Sequence, residues 1–131
     1  MSVVVDASVV VALLVQEPSE VDLEALERAG VDLHVPAICD TEVVSAVSRY
    51  VGRGDVTEDK GRDLLLDYVS LPLTRHLHPG HVGRAFELRN NISARDAAYV
   101  VLAEALDAGL LTVDRALTRA VRRHTTVPVL S

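Results

Sequence analysis

The sequence is short of cysteine, of aromatic residues and of lysine, and each shortage closes off a class of protein. A single cysteine, Cys39, cannot form an internal disulfide and has no Cys partners for a structural zinc site. A disulfide-stapled fold is excluded, and a reducing compartment is expected. Aromatics are 3% of the chain and hydrophobic residues 49%, so the core must be built from Val, Leu, Ile and Ala. That composition suits a buried parallel sheet flanked by helices. The glycine motifs GxGxxG and GxxxxGK[ST] and the serine elbow GxSxG are all missing, which removes dinucleotide-binding, P-loop and serine-hydrolase readings. The apolar run 3–15 is interrupted by Asp6, has no basic residue before it and is too short to span a bilayer. A cytoplasmic protein without a membrane partner is expected.

What is present is an acidic chain of 131 residues, with a net charge of −6 and a pI near 5.2. The length fits one domain, residues 1–131. The charge argues against gripping nucleic acid through bulk electrostatics, so any such contact has to be local. Glu17, Glu20, Asp22, Glu24 and Glu27 alternate with apolar residues and read as one solvated helix face.

Hydrophobic periodicity orders the chain. Residues 2–5 predict a strand ending at Asp6, and residues 9–15 a helix. Ser19 is placed to cap a second helix ending near Gly30, and residues 32–35 form a strand stopped by Pro36. A helix follows over 40–51, closed by Gly52 and Gly54, and Thr57 caps another with Leu64, Leu65 and Tyr68 inward. Residues 71–73 predict a short strand that Pro72 confines to an edge, and 81–90 a helix. Ser93 opens a helix through Ala108 that stops at Gly109; residues 110–113, 115–123 and 127–130 then read strand, helix, strand. The expected fold is α/β, with a central, mainly parallel sheet of about five strands between helices.

In such a sheet, ligands bind beyond the carboxyl ends of the strands. Asp6 ends the first predicted strand and Asp114 follows the fourth; Glu42 and Asp96 lie in the first turns of predicted helices. Singly, each has an ordinary role as a cap or dipole partner, and Ser93-x-x-Asp96 has the form of a capping box. Ordinary capping does not require all of them to fall on one rim. Together they offer the carboxylate oxygens that Mg²⁺ or Mn²⁺ prefers, the ion needed for phosphodiester hydrolysis. Ser8 and Thr112 are placed to orient the acids. Arginine suits phosphate recognition, and Arg49, Arg53, Arg115 and Arg119 are candidate RNA contacts, with Arg122 and Arg123 continuing the last stripe. His76, His78 and His81 lack a fourth zinc ligand and read as surface residues of a Pro/Gly-containing loop. Cys39, with no basic partner, reads as a small buried hydrophobe.

The segments VVVDASVVVALL, PAICDTEVVSAV and SARDAAYVVLAEALDAGLLTVDRAL resemble, in order and over nearly the whole chain, the motifs of PIN-domain nucleases, specifically the VapC-type toxins of bacterial toxin–antitoxin pairs. The resemblance implies a PIN-like α/β/α sandwich and Mg²⁺- or Mn²⁺-dependent endonucleolytic cleavage of cellular RNA that inhibits translation. It assigns the acidic quartet to Asp6, Glu42, Asp96 and Asp114, with Ser8 and Thr112 alongside. It also implies a homodimer and a VapB-like antitoxin whose C-terminal segment wraps the toxin. Where some relatives carry a further acid shortly after the fourth, this chain has Leu117, Thr118 and Arg119, which leaves one or two metal ions open.

Two alternatives come from other classes. A receiver or haloacid-dehalogenase phosphotransfer fold also sets an aspartate after strand one, but expects a late lysine, and Lys60 is the only lysine. A haloacid-dehalogenase phosphatase also wants an acid at the position of Ser8. A PIN-like module that holds RNA or protein without cutting has no need for clustered, repelling carboxylates.

Overall fold

The computed structural model describes residues 1–15 and 21–130. Its centre is β1 (Ser2–Val5), whose Val3, Val4 and Val5 are all buried. Branched residues on both faces of a strand mark a sheet covered on both sides. β1 pairs in parallel with β2 (Asp32–Pro36) through Val3–Leu33, and with β4 (Gly109–Leu111) through Val4–Leu110. Outside these lie β3 (Leu73–His76) against β2, and β5 (Val129–Leu130) against β4, giving the order β3-β2-β1-β4-β5 with every pair parallel. The chain therefore builds outward from β1 to β3, then returns to the other side of β1. The carboxyl ends of β1 and β4 flank this reversal, where an α/β sheet opens a crevice.

The helices are α1 (Ala7–Leu14), α2 (Leu23–Arg28), α3 (Ile38–Gly52), α4 (Glu58–Val69), α5 (Val82–Glu87), α6 (Ala94–Leu106) and α7 (Arg115–His124). α6 crosses β1, β2 and β4, while α1, α3 and α4 pack on one another. Gly61 lets α4 approach α3, because a Cβ there would lie 2.7 Å from Val51 Cγ2. Thr57 caps α4 by accepting from the Lys60 N–H, as its position predicts. Among the described residues no helix is long and apolar enough to cross a membrane.

Several expected boundaries move. Ser19 lies outside the described residues; the N-cap of α2 is Asp22, whose side chain accepts from the Ala25 N–H. β3 begins at Leu73 rather than residue 71, because Pro72 has no N–H for the ladder. The predicted helix 81–90 is a 3₁₀ turn at Pro79–His81 followed by the six residues of α5. α6 does not run through Ala108 to a stop at Gly109. It stops at Leu106 because Asp107 turns left-handed, with φ 50°, a conformation that a short polar side chain tolerates. Gly109 instead opens β4, where a Cβ would meet Leu130 Cδ1 at 3.1 Å.

Candidate active site

Asp6 follows β1 and is 5% exposed, a depth at which a carboxylate needs donors. Its Oδ2 receives the Ser8 hydroxyl at 2.5 Å and the Thr112 hydroxyl at 2.8 Å, leaving Oδ1 without a hydrogen-bond partner among the described residues. Thr112 Oγ1 accepts in turn from the Asp114 N–H at 3.0 Å, and Ser8 Oγ from the Val113 N–H at 3.3 Å. Ser8 and Thr112 thus tie the end of β1 to the segment leaving β4. Two hydroxyls donating to one oxygen fix the orientation of Asp6, as outer partners do for a metal-binding carboxylate.

Asp114 has the capping role that each acid could have had alone: its Oδ1 accepts from the Ala116 and Leu117 N–H groups at the start of α7. Asp96 differs. Its backbone N–H is capped by Ser93 Oγ at 3.2 Å, so the carboxyl is not what holds the helix start. Burial first, then the charges of Asp6 and Asp114, push the Asp96 carboxyl above its ordinary value. Glu42 sits two residues further into its helix than expected, because α3 starts at Ile38 rather than at residue 40. Burial, and then the charges of Asp6 and Asp96, push its carboxyl up against the opposing Tyr99 bond and the Arg95 charge. Glu42 thus feels the charges of Asp6 and Asp96, and Asp96 those of Asp6 and Asp114.

Two partners of Glu42 escaped sequence reasoning. The hydroxyl of Tyr99, a fully buried residue of α6, donates to Glu42 Oε1 at 2.7 Å, and Arg95 Nε lies 3.8 Å from Glu42 Oε2. A signal existed for the first: Tyr99 stands one helical turn after Asp96 in a chain with almost no aromatics, and a buried tyrosine needs an acceptor for its hydroxyl. For Arg95 there was only its adjacency to Asp96. Arg49 lies beside Glu42 as expected, lining the same small cleft. Arg53 does not: α3 has ended, and Arg53 Nε pairs with Asp55 at 3.1 Å over the ring of Tyr50. Arg115 and Arg119 are exposed on α7 and make no ion pair among the described residues.

Among the described residues, no three His, Cys, Asp or Glu side chains are drawn close enough to form a finished metal-ligand set. The donor chemistry nonetheless fits a hard divalent cation. Glu42 and Asp96 are raised by burial and by neighbouring carboxylates, and among the described residues the cation that pairs with any of the four acids is Arg95, at a distance beyond hydrogen bonding to Glu42. The charge of such a cation would reverse the repulsion.

The histidines are not a plain surface group. His34 Nδ1 lies 2.8 Å from His76 Nε2, and His76 Nδ1 lies 3.0 Å from His78 Nε2, with His81 stacked on His78. Each bond needs one ring to act as acceptor, so no two bonded rings can carry the charge together. Burial first, then the charges of His34, His78 and His81, hold the His76 value below its ordinary one. The unfolded chain therefore takes up the proton more readily. This contribution to stability is complete above the ordinary histidine value and is lost as pH falls through the depressed one. The melting temperature of His76→Gln is expected to fall less than that of the parent between pH 7.5 and 5.5; equal slopes would remove His76 as the cause. Cys39 is buried and pushed up by burial, an inert thiol packed against Tyr68 and Tyr99.

A five-stranded parallel sheet in the order β3-β2-β1-β4-β5, with Asp6 and Asp114 directly after its two central strands β1 and β4, defines the α/β class of this protein. The chain belongs to the PIN domain family, whose family model matches residues 3–122. Ribonuclease VapC9 of Mycobacterium tuberculosis is 40% identical over 116 residues, covering 88% of each chain. Ribonuclease VapC12 of the same organism is 33% identical over 118 residues, covering 90% of this chain and 91% of the relative. In fold, the chain is similar to one in the crystal structure of VapBC2 from Rickettsia felis bound to a DNA fragment from their promoter. The TM-score is 0.72 at 17% identity, covering 99% of this chain and 98% of that one.

Proposed function

We propose that this PIN domain, read as one unit over residues 1–131, is a divalent-metal-dependent endoribonuclease that acts as the toxin of a toxin–antitoxin pair in the cytoplasm. It cleaves phosphodiester bonds in cellular RNA and so inhibits translation. The observation that supports this reading is that Glu42 and Asp96 are both raised, by burial first and then by the charges of Asp6 and, for Asp96, of Asp114, as expected of Asp6, Glu42, Asp96 and Asp114 sharing the β1/β4 crevice. Relatives named ribonuclease VapC support it. The four carboxylates would hold Mg²⁺, or Mn²⁺ in its place, which supplies an activated water and compensates charge on the scissile phosphate. Ser8 and Thr112 fix the orientation of Asp6, Tyr99 that of Glu42, and Asp114 ties the site to α7. Arg49, Arg115 and Arg119 are the RNA-backbone contacts of this reading. Its partners are a VapB-like antitoxin and a second copy of the chain.

Incubating the purified chain with total RNA in Mg²⁺ or Mn²⁺, then sequencing the new ends, tests the reading. Discrete cuts that EDTA abolishes are expected. RNA bound tightly and left whole would make the protein a binding module. Metal should also raise the melting temperature by several degrees, since a ligand at a hundred times its Kd adds about 2.7 kcal/mol. A melting temperature indifferent to both ions would remove them from the site.

A further inference from the structure

Beside the acidic crevice, and sharing Glu42 with it, is a cleft of about 120 Å³ lined by Ile38, Thr41, Glu42, Ser45, Arg49 and Arg95. We propose that this cleft is a phosphate subsite, seating a backbone phosphate of single-stranded RNA that flanks the bond to be cut. The proposal rests on the ribonuclease reading and adds a place where the substrate is gripped.

Size and lining select the ligand. The volume equals that of about four waters, enough for a phosphate group, and no aromatic ring lines it to stack a base. The donors are of the right kind and are free to act. Arg49 Nη1 donates to Ser45 Oγ at 3.2 Å, which holds the guanidinium over the cleft and leaves its Nε and Nη2 without partners among the described residues. Ser45, having accepted, keeps its own O–H to donate. Arg95 is 3.8 Å from Glu42, too far for a hydrogen bond, and its side chain is 68% exposed against 17% for Glu42. The acid is fixed in the wall, and the arginine is a solvated arm able to turn to an incoming anion. A planar guanidinium matches phosphate oxygens in pairs. In a chain of net charge −6, a phosphate approaching four carboxylates needs countercharge at that spot, and the field of the whole molecule does not provide it.

The test is binding of a fluorescent single-stranded RNA decamer in EDTA, titrated at several salt concentrations, to the parent chain and to Arg49→Ala, Arg95→Ala and Arg95→Lys. Each alanine variant is expected to bind about tenfold more weakly, with the slope of log K against log salt smaller by about 0.7, the loss of one phosphate contact on a single strand. Arg95→Lys should keep the parent slope. Arg28→Ala, which removes an equal charge from an exposed pair with Glu24, should leave both quantities unchanged. In a scan of decamers carrying one neutral methylphosphonate, the parent should lose affinity at a particular linkage, and the two alanine variants should not. If their slopes match that of Arg28→Ala, the subsite is overturned and Arg95 only neutralises Glu42; RNA cleavage by the parent in Mn²⁺ would still uphold the nuclease. If the slopes fall as expected but the parent cuts nothing, the subsite stands and the nuclease reading fails.

Discussion

Asp96→Asn should lower RNA cleavage by at least about 100-fold, since even outer partners of metal ligands are worth 10–100-fold, while leaving the metal-free chain as stable as the parent or more so. The replacement keeps the shape of the side chain and removes its charge. The α6 cap survives, because Ser93 bonds the backbone N–H of Asp96 rather than depending on the carboxylate. Stability follows from the raised carboxyl. A group whose folded value lies above its unfolded one binds its proton more tightly in the native state, so ionisation at neutral pH opposes folding. That opposition is relieved as pH falls through the raised value, and asparagine removes it at every pH. Denaturant titration in EDTA reads the stability and a quenched RNA substrate reads the cleavage. A loss of more than about 1 kcal/mol, the worth of a cap, with cleavage retained, would make Asp96 a structural residue.

The second large effect belongs to Tyr99, which the core and the site share. Tyr99→Ala empties a fully buried position and should cost about 3–5 kcal/mol, a sizeable part of the stability of a domain of this length. Tyr99→Phe keeps the ring and deletes only the hydroxyl that donates to Glu42. It should cost about 1 kcal/mol, because the Glu42 side chain is 17% exposed and can recruit water. Its activity should fall roughly tenfold or more, chiefly through weaker apparent affinity for Mn²⁺, as expected for a residue that positions a ligand. A phenylalanine variant with the parent's metal dependence and rate would leave Tyr99 as packing alone.

Elements whose signal is local were legible in the sequence. The Val-rich β1, the Thr57 cap and the helix after Asp114 each declare themselves within a few residues, and the chain's lack of aromatics pointed to a parallel sheet. Pairing order was not legible: nothing in residues 2–5 says that their neighbours will be 32–36 and 109–111. Asp6, Asp96 and Asp114 stood out because they sit at element ends, where sequence patterns are strongest, whereas Glu42 lies inside α3. Tyr99, Arg95 and His34 were missed because their partners come from other elements: Glu42 on α3 for the first two, His76 on β3 for the third. Gly109 misled for a related reason. Glycine after a helical run suggests a stop, yet Asp107 turns the chain and Gly109 serves the approach of Leu130. Arg53 was placed by helical spacing alone, and the helix ended one residue too soon.

The bond from Thr112 to Asp6 spans 106 positions of sequence, and β1 stays without its β4 neighbour until residues 109–111 have been made. During synthesis the first hundred or so residues can collapse and form helices, but the central strand has an open edge and Asp6 has only Ser8 to hold it. A chain ended before residue 109 therefore lacks β4 and Thr112, so β1 keeps an open edge and Asp6 one hydroxyl donor. The central strand and its carboxylate are completed last, when residues 109–112 settle beside β1.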